Sequence, residues 1–223
     1  PLAGVQPYLD MLALTGDDQY VITHDGAAIQ TTNGQALVTH SLSRNDAQRL
    51  ADLADQAPID YHMITSQAIY TPNRPASAYT IRESRLVHLP VVYQPAAEIP
   101  AAEDILTFVF IDETATVDAF EPTIPAALRQ QFYLVRTDPH FIEALNQHVS
   151  KAHALQELVG RLNLQPAETM AIGDGANDLP LLKAAGLGVA MGNATAEVQA
   201  AADEVTSSNA EDGVANAILT YAL

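Results

Sequence analysis

The sequence contains no cysteine and no tryptophan, and it has few cations. Without cysteine there is no disulfide framework, no thiolate metal site and no cysteine nucleophile, and this absence fits a reducing, cytoplasmic location. Ten Lys and Arg residues face 27 Asp and Glu residues, which leaves a net charge of −17. Such a charge repels polyphosphate backbones and anionic lipids, so we expect no nucleic acid and no membrane surface as a partner.

Long hydrophobic runs are also missing. The longest strongly apolar run, residues 105–111, is far below the ~20 residues that a membrane crossing needs. No signal-peptide pattern opens the sequence. With 48% hydrophobic and 17% charged residues in 223, the composition is that of a globular protein with one large domain or a core and an insertion.

The first two thirds of the sequence mix helical and strand patterns. An apolar-periodic helix at residues 2–13 starts abruptly, and Asn33-Gly34 between two β-prone runs predicts a hairpin. The further predicted elements are helices at 43–56 and 117–131 and strands at 20–23, 59–66, 68–71, 86–93, 105–111, 132–135 and 141–145.

After residue 146 helices and strands alternate strictly, which is typical of a parallel sheet with crossover helices. The predicted elements are helices at 151–162, 179–185, 196–202 and 213–223 and strands at 169–172, 188–191 and 204–206. We therefore predict an α/β fold with a Rossmann-like core interrupted by an α+β insertion. The expected division is core at 1–40, cap at 41–144 and core again at 145–223.

The strongest motif is GDGAND at residues 173–178, directly after a predicted strand and directly before a predicted helix. In open α/β sheets ligands bind beyond the carboxyl ends of strands. Asp174 and Asp178 supply hard carboxylate oxygens of the kind that Mg²⁺ prefers. Helix capping by Asn177 or Asp178 is the competing interpretation, and it leaves Asp174 and the two glycines without an explanation.

Lys151 is one of only two lysines and lies in the first turn of a predicted helix, after Ser150. A cation there opposes the helix dipole, which indicates an anion nearby, although a solvated surface lysine is the alternative. In the predicted cap, Arg74 lies in a Pro-rich loop and suits a second phosphate or carboxylate, with a plain surface loop as the alternative.

Several stretches together resemble haloacid dehalogenase superfamily phosphatases of the Cof type, which carry a type IIB α+β cap. They are YVITHDGA at 20–27, with Asp25 where the family has Asn, VSKAHAL at 149–155, GDGAND at 173–178, GLGVAMGNA at 186–194 and EDGVA at 211–215. The resemblance implies phosphoryl transfer to an aspartate followed by hydrolysis, with Mg²⁺ as cofactor and a small phosphorylated metabolite, such as a sugar phosphate, as substrate.

The resemblance also implies roles for individual residues. Lys151 would neutralise the nucleophile and the phosphoryl charge, and Asp174 would complete the Mg²⁺ shell. Asp178 would sit beside the metal, often through water, and Asn177 would face the phosphate.

The family's nucleophilic Asp-x-Asp motif does not occur in the sequence. We therefore expect a strand-helix-strand unit of roughly 30 to 45 residues before Pro1. Asp112 follows a predicted cap strand and is rejected as a substitute. The 223-residue chain is predicted to be inactive. The alternatives are a non-catalytic protein that binds a phosphorylated metabolite and a fragment that associates with itself through an incomplete core.

Overall fold

The computed structural model describes all 223 residues, and their contacts divide the chain into two compact units, Pro1–Val149 and Ser150–Leu223. The expected boundaries near residues 40 and 144 stay a prediction. None of the helices has both the length and the apolar character that crossing a bilayer requires. The cytoplasmic location therefore also stays a prediction.

The first unit begins with α1 (Leu2–Met11) and an antiparallel sheet of three strands. These strands are β1 (Tyr20–Thr23), β2 (Ala28–Thr31) and β3 (Ala36–Thr39), in the order β1-β2-β3. The predicted hairpin is confirmed, and Gly34 in its turn has a φ of 86°, a value that glycine adopts without strain.

A six-stranded sheet forms the rest of the first unit. Its elements are α2 (Arg44–Asp55), β4 (Asp60–Ile64), β5 (Ile69–Tyr70), α3 (Ala78–Leu86), β6 (Val91–Val92), β7 (Thr107–Ile111), α4 (Thr114–Phe120), α5 (Ala126–Gln131), β8 (Phe132–Asp138) and β9 (Phe141–Asn146). The strand order is β6-β5-β4-β7-β9-β8, and every neighbouring pair is antiparallel except β5 with β6.

The core of this unit lies against the six-stranded sheet. Helix α2 buries Ala47, Leu50, Ala51 and Ala54, which recur at helical spacing along one face. This face packs in a cluster with Phe108 of β7, whose ring stacks on that of Tyr61 with 5.0 Å between the centroids. The burial of this apolar face therefore holds α2 against the sheet.

Two predictions in this unit are wrong. The expected strand at 86–93 is the end of α3 followed by the two-residue strand β6. The side chain of Ser77 accepts a hydrogen bond from the backbone of Thr80 and so caps α3. The expected helix at 117–131 is broken between α4 and α5, where Pro122 and Pro125 supply no backbone N–H.

The second unit confirms the alternating pattern. Its elements are α6 (Lys151–Arg161), β10 (Met170–Gly173), α7 (Leu179–Ala184), β11 (Leu187–Ala190), α8 (Ala196–Ala201), β12 (Glu204–Val205) and α9 (Gly213–Tyr221). The strands are parallel in the order β10-β11-β12. Leu182 and Val198 of the crossover helices pack with Ala171 and Ala190 of the sheet. The predicted α/β class is therefore confirmed.

Candidate functional site

The GDGAND segment forms a closed turn at the carboxyl end of β10. The strand ends at Gly173, a short 3₁₀ turn spans Ala176–Asp178, and α7 begins at the next residue. One carboxylate oxygen of Asp178, Oδ2, accepts hydrogen bonds from the backbone N–H groups of Asp174 and Gly175, each at 3.1 Å. The side chain of Asp178 therefore folds back over the turn and satisfies backbone donors that would otherwise be unpaired.

Side chains fold back over both glycines of the motif. A Cβ added to Gly173 would lie 2.6 Å from the Cβ of Asp178. A Cβ added to Gly175 would lie 2.5 Å from the Oδ1 of Asn177. Gly175 has a φ of −96°, which any residue can adopt. Gly173 is therefore required for space, whereas a Cβ at Gly175 would displace only the end of the Asn177 side chain.

Lys151 reaches this turn from α6. Its Nζ donates a hydrogen bond to Oδ1 of Asp178 at 2.7 Å, and the exposed fractions of the two side chains are 31% and 12%. Ser150 caps the helix by accepting a hydrogen bond from the backbone N–H of His153. The lysine thus pairs with Asp178, which offsets the unfavourable position of a cation at the start of a helix.

The Asp178 carboxyl is held in its charged form. Burial raises its pKa, but the hydrogen bonds from Lys151 and from the backbone N–H groups of Gly175 and Asp174 outweigh burial. The pKa of Asp178 therefore lies below its ordinary value of 3.8. A carboxylate with these three donors is ionised at every pH near neutrality.

Asp174 differs from Asp178 in its surroundings, because its side chain is exposed. Its Oδ2 accepts a hydrogen bond from Nδ2 of Asn193 at 3.1 Å, and Oδ1 of Asn193 accepts one from the backbone N–H of Asn209 at 2.9 Å. Asn193 follows β11 and Asn209 follows β12. One amide side chain therefore ties together the loops after three parallel strands.

Sequence reasoning assigned no role to Asn193. The available signal was its position a few residues past a predicted strand, at the sheet edge where ligands bind. Asn177 is partly buried on the turn itself, with its side-chain oxygen over Gly175.

Arg74 is the one predicted site residue outside this unit. It lies in the Pro1–Val149 unit, where its guanidinium donates a hydrogen bond to the carbonyl of Tyr93 at 3.2 Å and stacks on the Tyr93 ring at 4.8 Å from the centroid. The structure thus brings four of the predicted site residues together at one turn, namely Lys151, Asp174, Asn177 and Asp178. Arg74 lies in the other unit.

The donor set at this turn fits a hard divalent cation. Mg²⁺ keeps several waters and binds one or two carboxylates together with substrate phosphate. Asp174 offers an exposed carboxylate with a single amide donor on one oxygen. Both oxygens of Asp178 are already engaged by Lys151 and by the backbone. Asp174 is therefore the carboxylate of the turn that is open to such an ion.

Comparison with known proteins defines the class of this fold and site. A family model of haloacid dehalogenase-like hydrolases matches residues 1–218. The putative phosphatase YxeH of Bacillus subtilis is 39% identical over 219 residues, which cover 98% of this chain and 81% of that protein. The chain therefore belongs to the haloacid dehalogenase-like hydrolase family, and the resemblance seen in the sequence is confirmed.

Solved structures agree on the fold. A haloacid dehalogenase-like hydrolase from Bacteroides thetaiotaomicron matches with a TM-score of 0.86 and 26% identity, over 98% of this chain and 82% of that one. The HAD subclass IIB sugar phosphatase BT4131 matches with a TM-score of 0.74 and 22% identity, over 97% of this chain and 79% of that one. The second likeness supports the fold alone.

The space above Gly173 gives a first prediction. Gly173→Ala should lower the free energy of unfolding by about 1–3 kcal/mol, because the new methyl group collides with Asp178. Gly160→Ala is the matched control, since nothing lies within 4 Å of the added Cβ in α6. That change should raise the stability by up to about 1 kcal/mol through helix propensity. Urea unfolding followed by circular dichroism measures both, and equal effects would contradict the close packing.

The Lys151–Asp178 pair gives a second prediction. Because the folded pKa of Asp178 is below its ordinary value, the ionised carboxylate stabilises the turn above pH 3.8 and this contribution is lost as the pH falls through the lowered pKa. Lys151→Met should raise the pKa of Asp178 and move acid unfolding to higher pH, whereas Lys183→Met on exposed α7 surface should change neither.

Carboxyl ¹³C chemical shifts followed against pH report the Asp178 titration directly. An unchanged Asp178 midpoint in Lys151→Met would show that the ion pair does not control this carboxylate.

Proposed function

We propose that this chain supplies the phosphate- and Mg²⁺-binding turn of a phosphatase that hydrolyses small phosphorylated metabolites. The observation that carries the proposal is the Lys151–Asp178 contact of 2.7 Å at the end of β10, with the exposed carboxylate of Asp174 in the same turn. A cation and an exposed carboxylate that can hold a metal ion lie together at the sheet edge where ligands bind, and this combination suits a phosphoryl group.

Each residue of the turn has its own role in this proposal. Lys151 places its ammonium where it offsets the negative charge of a phosphoryl group, and Asp178 holds that ammonium in place. Asp174 holds the Mg²⁺, which when bound offsets further phosphate charge as a Lewis acid. Asn177 presents its amide to phosphate oxygens. Among these, Lys151 is the residue that we propose acts on the reacting group itself.

For the organic part of the substrate we propose a chemical class and no single compound. The relative YxeH is named a putative phosphatase, which supports a phosphate monoester as the substrate class. Sugar phosphates are our first candidates. Arg74 stays a candidate for substrate contact, and its present partner is the carbonyl and ring of Tyr93.

The 223 residues contain no Asp-x-Asp pair, and this observation favours a second candidate function. We propose that the 223-residue polypeptide binds Mg²⁺ and a phosphate ester without hydrolysing the ester. Binding without turnover is also what a non-catalytic protein for phosphorylated metabolites would do.

A titration with Mg²⁺ tests the proposed turn on the 223-residue chain. Mg²⁺ should shift the backbone amide signal of Gly175, and Asp174→Asn should weaken binding at least tenfold because a carboxylate ligand is lost. Asp212→Asn is the matched control, since Asp212 is an exposed carboxylate before α9. Equal loss in both variants would contradict a specific site.

Turnover separates the two candidate functions. The polypeptide with Mg²⁺ and p-nitrophenyl phosphate should release no phosphate, and EDTA-sensitive release would overturn the proposed inactivity. When the chain is joined behind a segment that carries the family's Asp-x-Asp motif, release should appear and Lys151→Met should lower kcat/KM about 100-fold or more. No release from the joined protein would favour the non-catalytic function.

We also propose that the chain associates with itself. Strands β1 and β10 each lie at the edge of a three-stranded sheet and pair with one neighbour only. An edge strand presents unpaired backbone groups to another chain. Static light scattering should give a mass that rises with protein concentration, and a constant monomer mass would contradict the proposal.

A further inference from the structure

An apolar groove lies between α6 and α7, within the Ser150–Leu223 unit. Its volume is about 240 Å³, below the roughly 300–1,000 Å³ of sites that hold drug-sized ligands. The apolar part of its wall is formed by Leu155, Val159, Leu164, Pro166 and Ala184. Leu164 is 39% exposed, so a large apolar side chain of the groove is left open to water. A hydrocarbon group that fills the groove removes this surface from water, which is favourable.

Gly160 keeps the groove open. Gln156 and Gly160 both line it and lie one helical turn apart on the same face of α6. Glycine is an unfavourable residue within a helix. A Cβ added to Gly160 would meet no atom within 4 Å, and its φ is not positive, so neither packing nor backbone geometry requires glycine here. The missing side chain therefore leaves space for a ligand.

The polar groups in the wall of the groove are largely satisfied. The hydroxyl of Thr169 donates a hydrogen bond to the carbonyl of Pro166 at 2.6 Å and accepts one from the backbone N–H of Gly186 at 3.1 Å. Only Gln156, which is exposed, keeps a side chain with free hydrogen-bonding groups. A polar group placed in the groove would lose water without gaining a partner, which is costly. The wall therefore suits hydrocarbon.

Two cations adjoin the groove. Arg161 directly follows Gly160, and Lys183 directly precedes Ala184. Besides Lys151 they are the only Lys and Arg residues in 150–223. Both are exposed, and neither makes a hydrogen bond or an ion pair within the chain. A chain with a net charge of −17 thus places two unpaired cations beside one apolar groove.

The carboxylates nearest to these cations in the sequence already have partners. Glu157 faces Nε2 of His153 at 3.8 Å. Oε2 of Glu168 accepts a hydrogen bond from the backbone N–H of Gln165 at 2.7 Å. An apolar groove beside two available positive charges complements a ligand that has a hydrocarbon part and an anionic end.

We propose that this groove binds a small amphipathic carboxylate, of the class of medium-chain fatty acids. The hydrocarbon chain covers Leu164 and lies over Gly160, and the carboxylate meets Arg161 or Lys183. The groove includes Thr169, which precedes β10, whereas the GDGAND turn follows that strand. The two sites therefore lie at opposite ends of β10, and the proposal does not rest on the proposed phosphatase function.

The test is a titration of the full 223-residue chain with octanoate, octan-1-ol and acetate at low ionic strength, followed by ¹H–¹⁵N NMR. Octanoate should shift the backbone amide signals of Gly160 and Thr169 in a saturable way. It should bind about three- to tenfold more tightly than octan-1-ol, the effect of exposed ion pairs. Acetate should not shift these signals at the same concentration, because it lacks the hydrocarbon chain.

Gly160→Leu separates ligand binding from folding. It should weaken octanoate binding about tenfold or more by filling the groove, while the urea midpoint stays equal or rises, because leucine is the better helix former. The matched control is Ala215→Leu, which adds the same side chain at an exposed position of α9 outside the groove and should bind octanoate as the unsubstituted chain does.

The double variant Arg161→Gln, Lys183→Gln tests the charge. It should lower the affinity for octanoate to that for octan-1-ol and leave octan-1-ol binding unchanged. The proposal is overturned if octanoate does not shift the Gly160 and Thr169 signals, if the unsubstituted chain binds octan-1-ol as tightly as octanoate, or if Gly160→Leu binds octanoate as tightly as Ala215→Leu.

Discussion

The carboxylate of Asp178 is the group on which the candidate site depends. One of its oxygens closes the turn after β10 through two backbone N–H groups, and the other holds the ammonium of Lys151 at 2.7 Å. Gly173 has no room for a side chain because Asp178 folds back against it. The buried, ionised side chain of Asp178 therefore determines the backbone conformation of the turn and the position of the Lys151 ammonium. It also explains why Gly173 carries no side chain.

This arrangement gives two aspartates of one motif different properties. Asp178 is buried and fully engaged, whereas Asp174 is exposed and is tied only to Asn193. Four residues of spacing predict that both carboxylates lie at the turn, and they do. The spacing does not predict which one faces solvent, because that depends on the lysine that approaches from α6 and on hydrogen bonds within the turn.

In the fold, too, local sequence patterns predict some parts, whereas other parts depend on contacts between residues that are distant in the sequence. The alternating second unit follows from apolar periodicity and a strand-turn-helix motif, and its predicted elements agree with the structure to within two residues at each end. Helix α3 was missed because its apolar residues form no clear stripe, although Ser77 offered a cap signal.

The charge at the turn bears on the proposed divalent ion. The charges of Lys151 and Asp178 cancel one another. Together with Asp174, the three side chains therefore carry a net charge of one negative unit. A phosphate monoester brings further negative charge to a chain whose net charge is already −17. The lysine alone cannot offset this repulsion, because its own charge is balanced by the carboxylate that positions it. If the turn binds phosphate as proposed, a cation held by Asp174 would supply the missing positive charge. On this proposal, dependence on a divalent ion would follow from the same ion pair that orders the turn.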